Sequence, residues 1–482
     1  MEKIVIVWFR QDLRLSYNEA LDAAMKEGVC LPIYVWDESD ISSDFQLGGG
    51  SKVWLTASLA SLNNSLGDKL NIYKGNTLKI ISGLIQQYSI KNIFWNKSYE
   101  PWHIKRENEI KVFCQAHGIL CKAYSSNYIS EPEEILKDDG SSYKIFTAYK
   151  NKFFSLGLDK KNTAEKSGES LFSKNTFAKD IHNKTSLTDL KSSTSFVGVD
   201  KMKKNWQIGE GAAKEKYDLF LKDKIANYDQ KRDFPADNVH SRLSPHLHFG
   251  EISPRQIFDG LEKIKNSKVK QISLSAVDSF MNELIWREYA AYALYHFPGL
   301  PEKNFKDTFN NFLWEKNEIM LEMWKAGKTG YPFVDAGMRE LLETGYMHNR
   351  VRMIVASFLV KNLGVHWHKG RDWFWQLLVD ADLANNSMNW QWVAGTGFDA
   401  SPFFRIFNPI TQGKKFDPQG LYTKKFIPEL KNLPVAHLFS PWKAPQAILE
   451  GAGVTLGVTY PKPIIDLESS RRKTLAKYRS IR

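Results

Sequence analysis

Apolar and polar positions change their spacing once along this chain, and the change divides it. Up to about residue 125, short β-branched and aromatic runs alternate with longer segments of helical spacing. The runs are Ile4 to Trp8, Leu31 to Trp36, Leu70 to Tyr73, Asn92 to Trp95 and Cys121 to Tyr124; the helical segments are Asn18 to Lys26, Lys52 to Leu66 and His103 to His117. This βαβα order predicts an open, mostly parallel, Rossmann-like sheet covered on both faces, a form that takes ligands beyond the carboxyl ends of its strands. From about Gly157 to Asn205 the composition shifts to Lys, Ser, Thr, Asn and Asp with few aromatics, as in Lys160-Lys161-Asn162-Thr163, which predicts a linker. Beyond Gly209 the spacing is helical almost to the end, without repeats. The expected organisation is an α/β domain over 1–130, an interdomain connection over 131–208 and an all-α domain over 209–482.

At 482 residues the chain exceeds what one core serves, so more than one domain is expected. No apolar run reaches the ~20 residues of a membrane span. The start, Met1 to Trp8, lacks the pattern of a signal peptide, which predicts a cytoplasmic location. Cys30, Cys114 and Cys121 are too few for a four-thiolate cluster and are an odd number without Cys-x-x-Cys, so they read as small buried hydrophobes. A formal charge of +12 suits a polyanionic partner or, equally, a surface of solvated lysines.

The polar residues that ask for an explanation lie in the helical half. In Asn282-Glu283-Leu284-Ile285-Trp286-Arg287-Glu288, residues Glu283, Trp286 and Arg287 share one helix face. A carboxylate, an indole and a guanidinium side by side can bond a base edge, stack on it and hold a phosphate; the plainer reading is a surface ion pair beside a core Trp. Asn349, Arg352 and Met353 repeat the spacing, with Arg350 on an adjacent face, and Asp380 or Asp382 can neutralise Arg352. His240-Ser241-Arg242-Leu243-Ser244-Pro245 offers hydroxyls and amides before a helix, which serves a diphosphate or simply a helix N-terminus. Gly209-Glu210-Gly211 reads as a helix start, because no strand precedes it. His246-x-His248 and His366-x-His368 have no supporting ligands at metal spacing, so solvent-facing or capping histidines are expected and no metal. Eight of the fifteen tryptophans fall between Trp286 and Trp392. They suit a core, or, beside a redox cofactor, a row that relays an electron hole.

Read together, Trp8-Phe9-Arg10-Gln11-Asp12-Leu13-Arg14-Leu15, Arg232-Asp233-Phe234-Pro235, Asn282 to Glu288, Thr329-Gly330-Tyr331-Pro332, Met347-His348-Asn349-Arg350 and Trp390 to Pro409 resemble the photolyase/cryptochrome family. The motifs are most similar to those of class I cyclobutane pyrimidine dimer photolyases and span nearly the whole chain outside the linker. The resemblance implies an N-terminal α/β domain and an all-helical domain that binds FAD. It places Tyr228, Ser241, Arg242, Leu243 and Ser244 along the flavin's diphosphate and ribityl chain, with Phe280 near the adenine and Arg287 and Asn349 nearby. Arg352 would pair with Asp380, while Asp382 and Asn386 address the isoalloxazine ring. Trp390, Trp367 and Trp314 would form the electron relay, and Glu283, Trp286, Asn349, Arg350, Met353 and Trp392 would meet a flipped-out dimer. Arg232 and Arg405 would meet backbone phosphates.

Two residues depart from the family pattern: His240 stands where a hydroxyl residue is common, and Phe280 where a Trp is common. Trp102 and His103 stand where some relatives carry a folate-contacting Asn-Glu, so a folate or deazaflavin antenna is left open. The implied activity is light-driven repair of cyclobutane dimers in double-stranded DNA by electron transfer from reduced FAD, by a chain expected to act as a monomer without a membrane. The rivals are a cryptochrome photoreceptor, which usually carries a longer C-terminal tail, and a (6-4) photolyase, which calls for two histidines where Asn349 and Met353 stand.

Overall fold

The computed structural model describes residues 3–158, 177–180, 185–186, 199–266 and 272–481. Its N-terminal half is built on five strands, β1 (Ile4–Phe9), β2 (Val29–Trp36), β3 (Asn71–Lys74), β4 (Ile90–Asn96) and β5 (Leu120–Tyr124). All four pairings are parallel and the order is β3-β2-β1-β4-β5. Strand β1 shows why the apolar runs are continuous. Val5, Val7 and Phe9 enter one buried cluster while Ile6 and Trp8 enter another, since successive side chains point to opposite faces.

Helices α1 (Glu19–Glu27) and α2 (Gly49–Ser65) cover the first face through Leu21, Trp54 and Leu59. Helices α3 (Thr77–Gln87) and α4 (Pro101–Ala116) cover the second through Ile81, Leu84 and Ile110. The predicted strands and three predicted helices are present; α3 is an addition. Its Leu78, Ile81 and Leu84 recur at helical spacing, which a reading confined to the three larger periods passes over.

Helix α5 (Phe146–Ser155) lies within the expected interdomain connection, yet Phe146, Tyr149 and Phe153 belong to the helical core. Much of the Lys- and Ser-rich stretch lies outside the described residues. Where it is described, Ala178 N donates to Cys30 O at 2.8 Å, and Asp180 accepts from the hydroxyls of Tyr73 and Tyr88, both at 2.7 Å. Helix α6 (Glu210–Leu219) begins after Gly209, and its first residue turns back to cap the other half. The Glu210 carboxylate accepts the Leu15 amide at 2.7 Å and the Ser16 amide at 3.1 Å.

Further contacts close the seam between the halves. Fully buried Arg14 donates to the carbonyls of Tyr17, Ser126 and Gly250 at 2.9, 2.6 and 2.9 Å. Trp54 Nε1 donates to Glu251 at 3.1 Å. Gly48 and Gly50 press backbone on backbone: a Cβ on either would stand 2.2 Å from the carbonyl oxygen of Trp375 or Leu377.

The helical half is organised around α7 (Leu274–His296), which is buried around most of its central turns but carries a partly open stripe of Asn282, Glu283, Trp286 and Arg287. Against it stand α8 (Asn349–Ser357), α9 (Trp367–Leu377) and α10 (Leu383–Ala394). Among the described residues no helix is long and apolar enough to cross a membrane.

Candidate cofactor and nucleic-acid site

The open stripe of α7, the start of α8 and one face of α10 from Asn385 to Val393 enclose a cavity of about 540 Å³. Its volume lies within the range of small-molecule and cofactor sites, with an apolar wall and a few convergent polar groups. The segment from His240 to Ser244 forms one wall. Arg242 takes a positive φ of 53°, a conformation that costs a non-glycine residue about 1 kcal/mol or more. Its guanidinium lies over the rings of Trp206 and Tyr346, 4.3 and 4.9 Å from their centroids, and its buried Nε has no protein partner. Tyr228 meets Phe280 edge to face at 5.2 Å, which closes the apolar end.

Two carboxylates stand at the other wall in different company. Asp380 receives Arg352 through both oxygens at 3.0 and 2.9 Å and the Ser244 hydroxyl at 2.6 Å. Burial opposes the charge on Arg352, but Asp380 together with Tyr346 and Glu340 outweighs it and raises the guanidinium pKa. Asp382 caps α10 by accepting the Asn385 amide at 2.8 Å and lies 3.5 Å from His248. Burial alone would raise its carboxyl; His248 and the Asn385 amide hold it below the usual range. So the structure assigns Arg352 to Asp380, where spacing had left either carboxylate open. Arg287 donates to Glu288 at 3.0 Å and lies over Tyr128. The Asn386 amide donates to the Arg371 carbonyl at 3.2 Å.

His246 and His248 are not solvent-facing: both are buried, His246 bonded to Glu251 at 2.5 Å. The sequence pattern misled because their partners, Glu251 and Asp382, come from a turn and from another helix. His366 does cap α9, accepting the His368 amide. Among the described residues no group of three metal-ligating side chains comes together.

At the mouth, the expected DNA-contacting residues meet each other. Arg232 donates to Glu283 at 2.5 Å and to the Ser279 hydroxyl at 3.0 Å, and Arg350 donates to Asp233 at 2.7 Å. Trp286 stacks on Phe146 with centroids 3.6 Å apart and planes 8° from parallel. Trp392, Met353 and exposed Asn349 complete the rim. Arg405 is exposed but stands outside the cavity wall, its carbonyl accepting from Lys361 Nζ at 2.9 Å.

A histidine pair escaped the sequence reading. His240 and His348 place their Nε2 atoms 2.7 Å apart, each also 3.1 or 3.0 Å from the Arg232 carbonyl. His348 Nδ1 accepts the Arg350 amide, so its Nε2 carries the proton and donates, while His240 Nε2 can accept. Burial lowers both pKa values, His348 well below its ordinary value, so both rings are neutral near pH 7. The two residues are 108 positions apart, which no local spacing reveals.

The tryptophans leave the cavity in another direction. Trp390 is 3% exposed and Trp367 is fully buried, whereas Trp314 is partly open. Gly370 makes room for Trp390: a Cβ there would stand 2.0 Å from the indole. His366 bridges the rest, its ring 5.8 Å from Trp367 and 5.0 Å from Trp314.

Comparison with known proteins gives this geometry a context. Residues 5–165 match the family model described as DNA photolyase, and residues 280–480 that described as the FAD binding domain of DNA photolyase. The deoxyribodipyrimidine photo-lyase of Agrobacterium fabrum is 40% identical over 99% of this chain and 98% of its own length. Cryptochrome-2 of Arabidopsis thaliana is 33% identical over 99% of this chain and 79% of its own. The crystal structure of a bacterial class III photolyase from Agrobacterium tumefaciens matches with a TM-score of 0.91 and 39% identity, covering 100% of this chain and 98% of that one. Its class differs from the class I pattern that the motifs resemble.

Proposed function

The chain belongs to the photolyase and cryptochrome family, and within it we propose that this protein repairs cyclobutane pyrimidine dimers in DNA under light, with FAD in the helical cavity. The observation that carries the reading is the continuity of one cavity from an apolar-walled interior with a few convergent polar groups to a mouth rimmed by Glu283, Trp286, Asn349, Met353 and Trp392. The residues present fit FAD: the orphaned Arg242 Nε and the Ser241 hydroxyl suit a diphosphate, and the Arg352–Asp380 pair with Asn386 suits a ring carrying both donors and acceptors. Bound FAD supplies light absorption and one-electron transfer.

The chain's own residues do the rest. Trp286 and Trp392 offer flat faces to an extruded pyrimidine pair, which costs less to extrude than intact bases because it is already poorly stacked. Glu283, paired with Arg232, bonds the base edges, while Asn349 offers an amide from the start of α8. Arg405 and the lysine-rich exterior meet phosphates without reading sequence. A second chromophore, held in the N-terminal half, would extend light capture.

No histidine stands at 349 or 353, and the one beside them, His348, spends both ring nitrogens on the Arg350 amide, His240 and Arg232. A free proton donor for (6-4) chemistry is therefore not offered there. The test is incubation of ultraviolet-damaged DNA with the purified protein under blue light and in darkness, with each lesion counted separately. Light-dependent loss of cyclobutane dimers alone is expected. Persistence of those dimers under light, or loss of (6-4) products, overturns the reading.

A further inference from the structure

Trp286 has two faces, and only one of them opens on the cavity. The other is taken by Phe146, the first residue of α5, at 3.6 Å and almost parallel. At that separation the two rings are in contact across their faces, which leaves the indole no room to tilt towards Phe146. Tyr289 closes the remaining edge, lying 5.7 Å from Phe146 and 5.8 Å from Trp286. Phe146 is in turn held from a distance. Its backbone amide, at the open start of α5, donates to Asp399 at 2.7 Å, while Ile145 gives that helix no side-chain cap.

Asp399 belongs to the loop that follows α10 and leads from Trp392 to Arg405. That loop is anchored beside it: Phe398 packs against Tyr289 at 5.9 Å and Phe297 at 5.5 Å, and the Ser401 amide donates to the Trp392 carbonyl at 3.1 Å. Two elements far apart in sequence, α7 with Trp286 and the end of α10 with Trp392, are therefore tied through one turn of α5.

We propose that Phe146 and Asp399 are positioning residues for damage recognition, setting the plane of Trp286 and its separation from Trp392 so that an extruded pair of bases meets a preformed slot. The inference rests on the proposed DNA-repair reading and adds to it residues that touch neither DNA nor flavin. Preformation matters because every side chain ordered on binding costs affinity, and a Trp286 already held flat avoids that cost. Phe146 is a positioning residue for the lesion only, since the flavin-facing walls are formed by other residues.

The experiment compares the wild-type holoenzyme with Phe146→Leu, Phe146→Tyr and Asp399→Ala. Affinity for damaged and intact duplex, kcat and KM for light-dependent repair, and flavin content are measured for each. Phe146→Leu keeps the apolar volume without the flat face. It is expected to lose preference for damaged DNA by about tenfold, the worth of one base–aromatic stack, through KM with kcat and flavin content unchanged. Phe146→Tyr, which restores a ring, is expected to recover the preference, and Asp399→Ala to lose it in the same direction by a smaller factor.

The inference fails if the wild type prefers damaged DNA and Phe146→Leu keeps that preference within about twofold. It fails equally if Phe146→Leu loses flavin and kcat together, the mark of ordinary core damage. If the wild type itself shows neither damage preference nor light-dependent repair, the functional reading falls first and takes this inference with it.

Discussion

The cavity has two sets of tryptophans, and they are held in opposite ways. Trp286 and Trp392 stand at the mouth, partly open, with a broad face left for something to lie upon. Trp390 and Trp367 are enclosed: Phe374 meets Trp390 edge to face at 5.0 Å, Trp324 at 6.4 Å, and the absence of a side chain at Gly370 lets α9 close over it. A face left free is suited to binding by stacking. A buried series that ends at partly open Trp314 is suited to carrying an electron between the cavity and a different surface. The residue type is the same, and the surroundings decide its use.

Separating the two sets by mutation is the way to break that comparison. The largest effect is expected from Trp314→Phe, which should nearly abolish light-dependent reduction of oxidised flavin while repair by previously reduced protein persists; absorption spectra under illumination check this. Normal photoreduction in that variant would mean the electrons leave elsewhere. Next comes Trp286→Ala, which should cost roughly 1–3 kcal/mol of binding to damaged duplex and little to intact duplex, because stacking on an extruded pair is available only in the first. Equal losses in a filter-binding titration would remove the distinction between the two sets.

Arg405→Ala should weaken both DNAs alike by a few-fold and lower the slope of binding against salt by about 1, as removal of one phosphate contact does. A lesion-specific loss would place Arg405 within the slot instead.

The smallest effect is on stability in acid, and it touches both regions. Burial drives His366 down to about 4 and His368 down to about 3 at the relay end, and lowers His240 and His348 at the mouth. Each has a lower pKa folded than the ~6.5 of the unfolded chain, so the unfolded state takes up protons first as pH falls. Their contribution is intact above pH ~6.5 and is lost progressively as pH falls towards 4. Denaturant midpoints should fall over that window, and His366→Asn should flatten the decline slightly. A midpoint that does not move between pH 7 and 4.5 would contradict it.

What the chain disclosed in advance follows from the range over which its signals act. The strands were legible because apolar runs such as Val5 to Phe9 face cores on both sides, and the Glu283–Trp286–Arg287 stripe because helical spacing is local. The Arg352–Asp380 pair was half legible: complementary charge named two candidates, and only the fold could choose. Nothing local announces that His240 meets His348, that Asp399 holds the amide of Phe146 or that Arg232 turns to Glu283. These contacts depend on how α5, α7, α8 and the loop after α10 are brought together. His246 and His248 misled for the same reason, since a carboxylate supplied from elsewhere turns a surface-looking pattern into a buried one.

The glycines at 48 and 50 have a bearing on how the molecule can be taken apart. Because α2 begins against the bare carbonyls of Trp375 and Leu377, each half completes the other's surface, and a helical half expressed by itself would present that strip of backbone to water. Exchanging the N-terminal half for that of a relative would succeed only if the donor also lacks side chains at these two places. The join behaves as a shared wall: any swelling at 48 or 50 pushes on the end of α9, so a change made for the sake of one half is felt in the other.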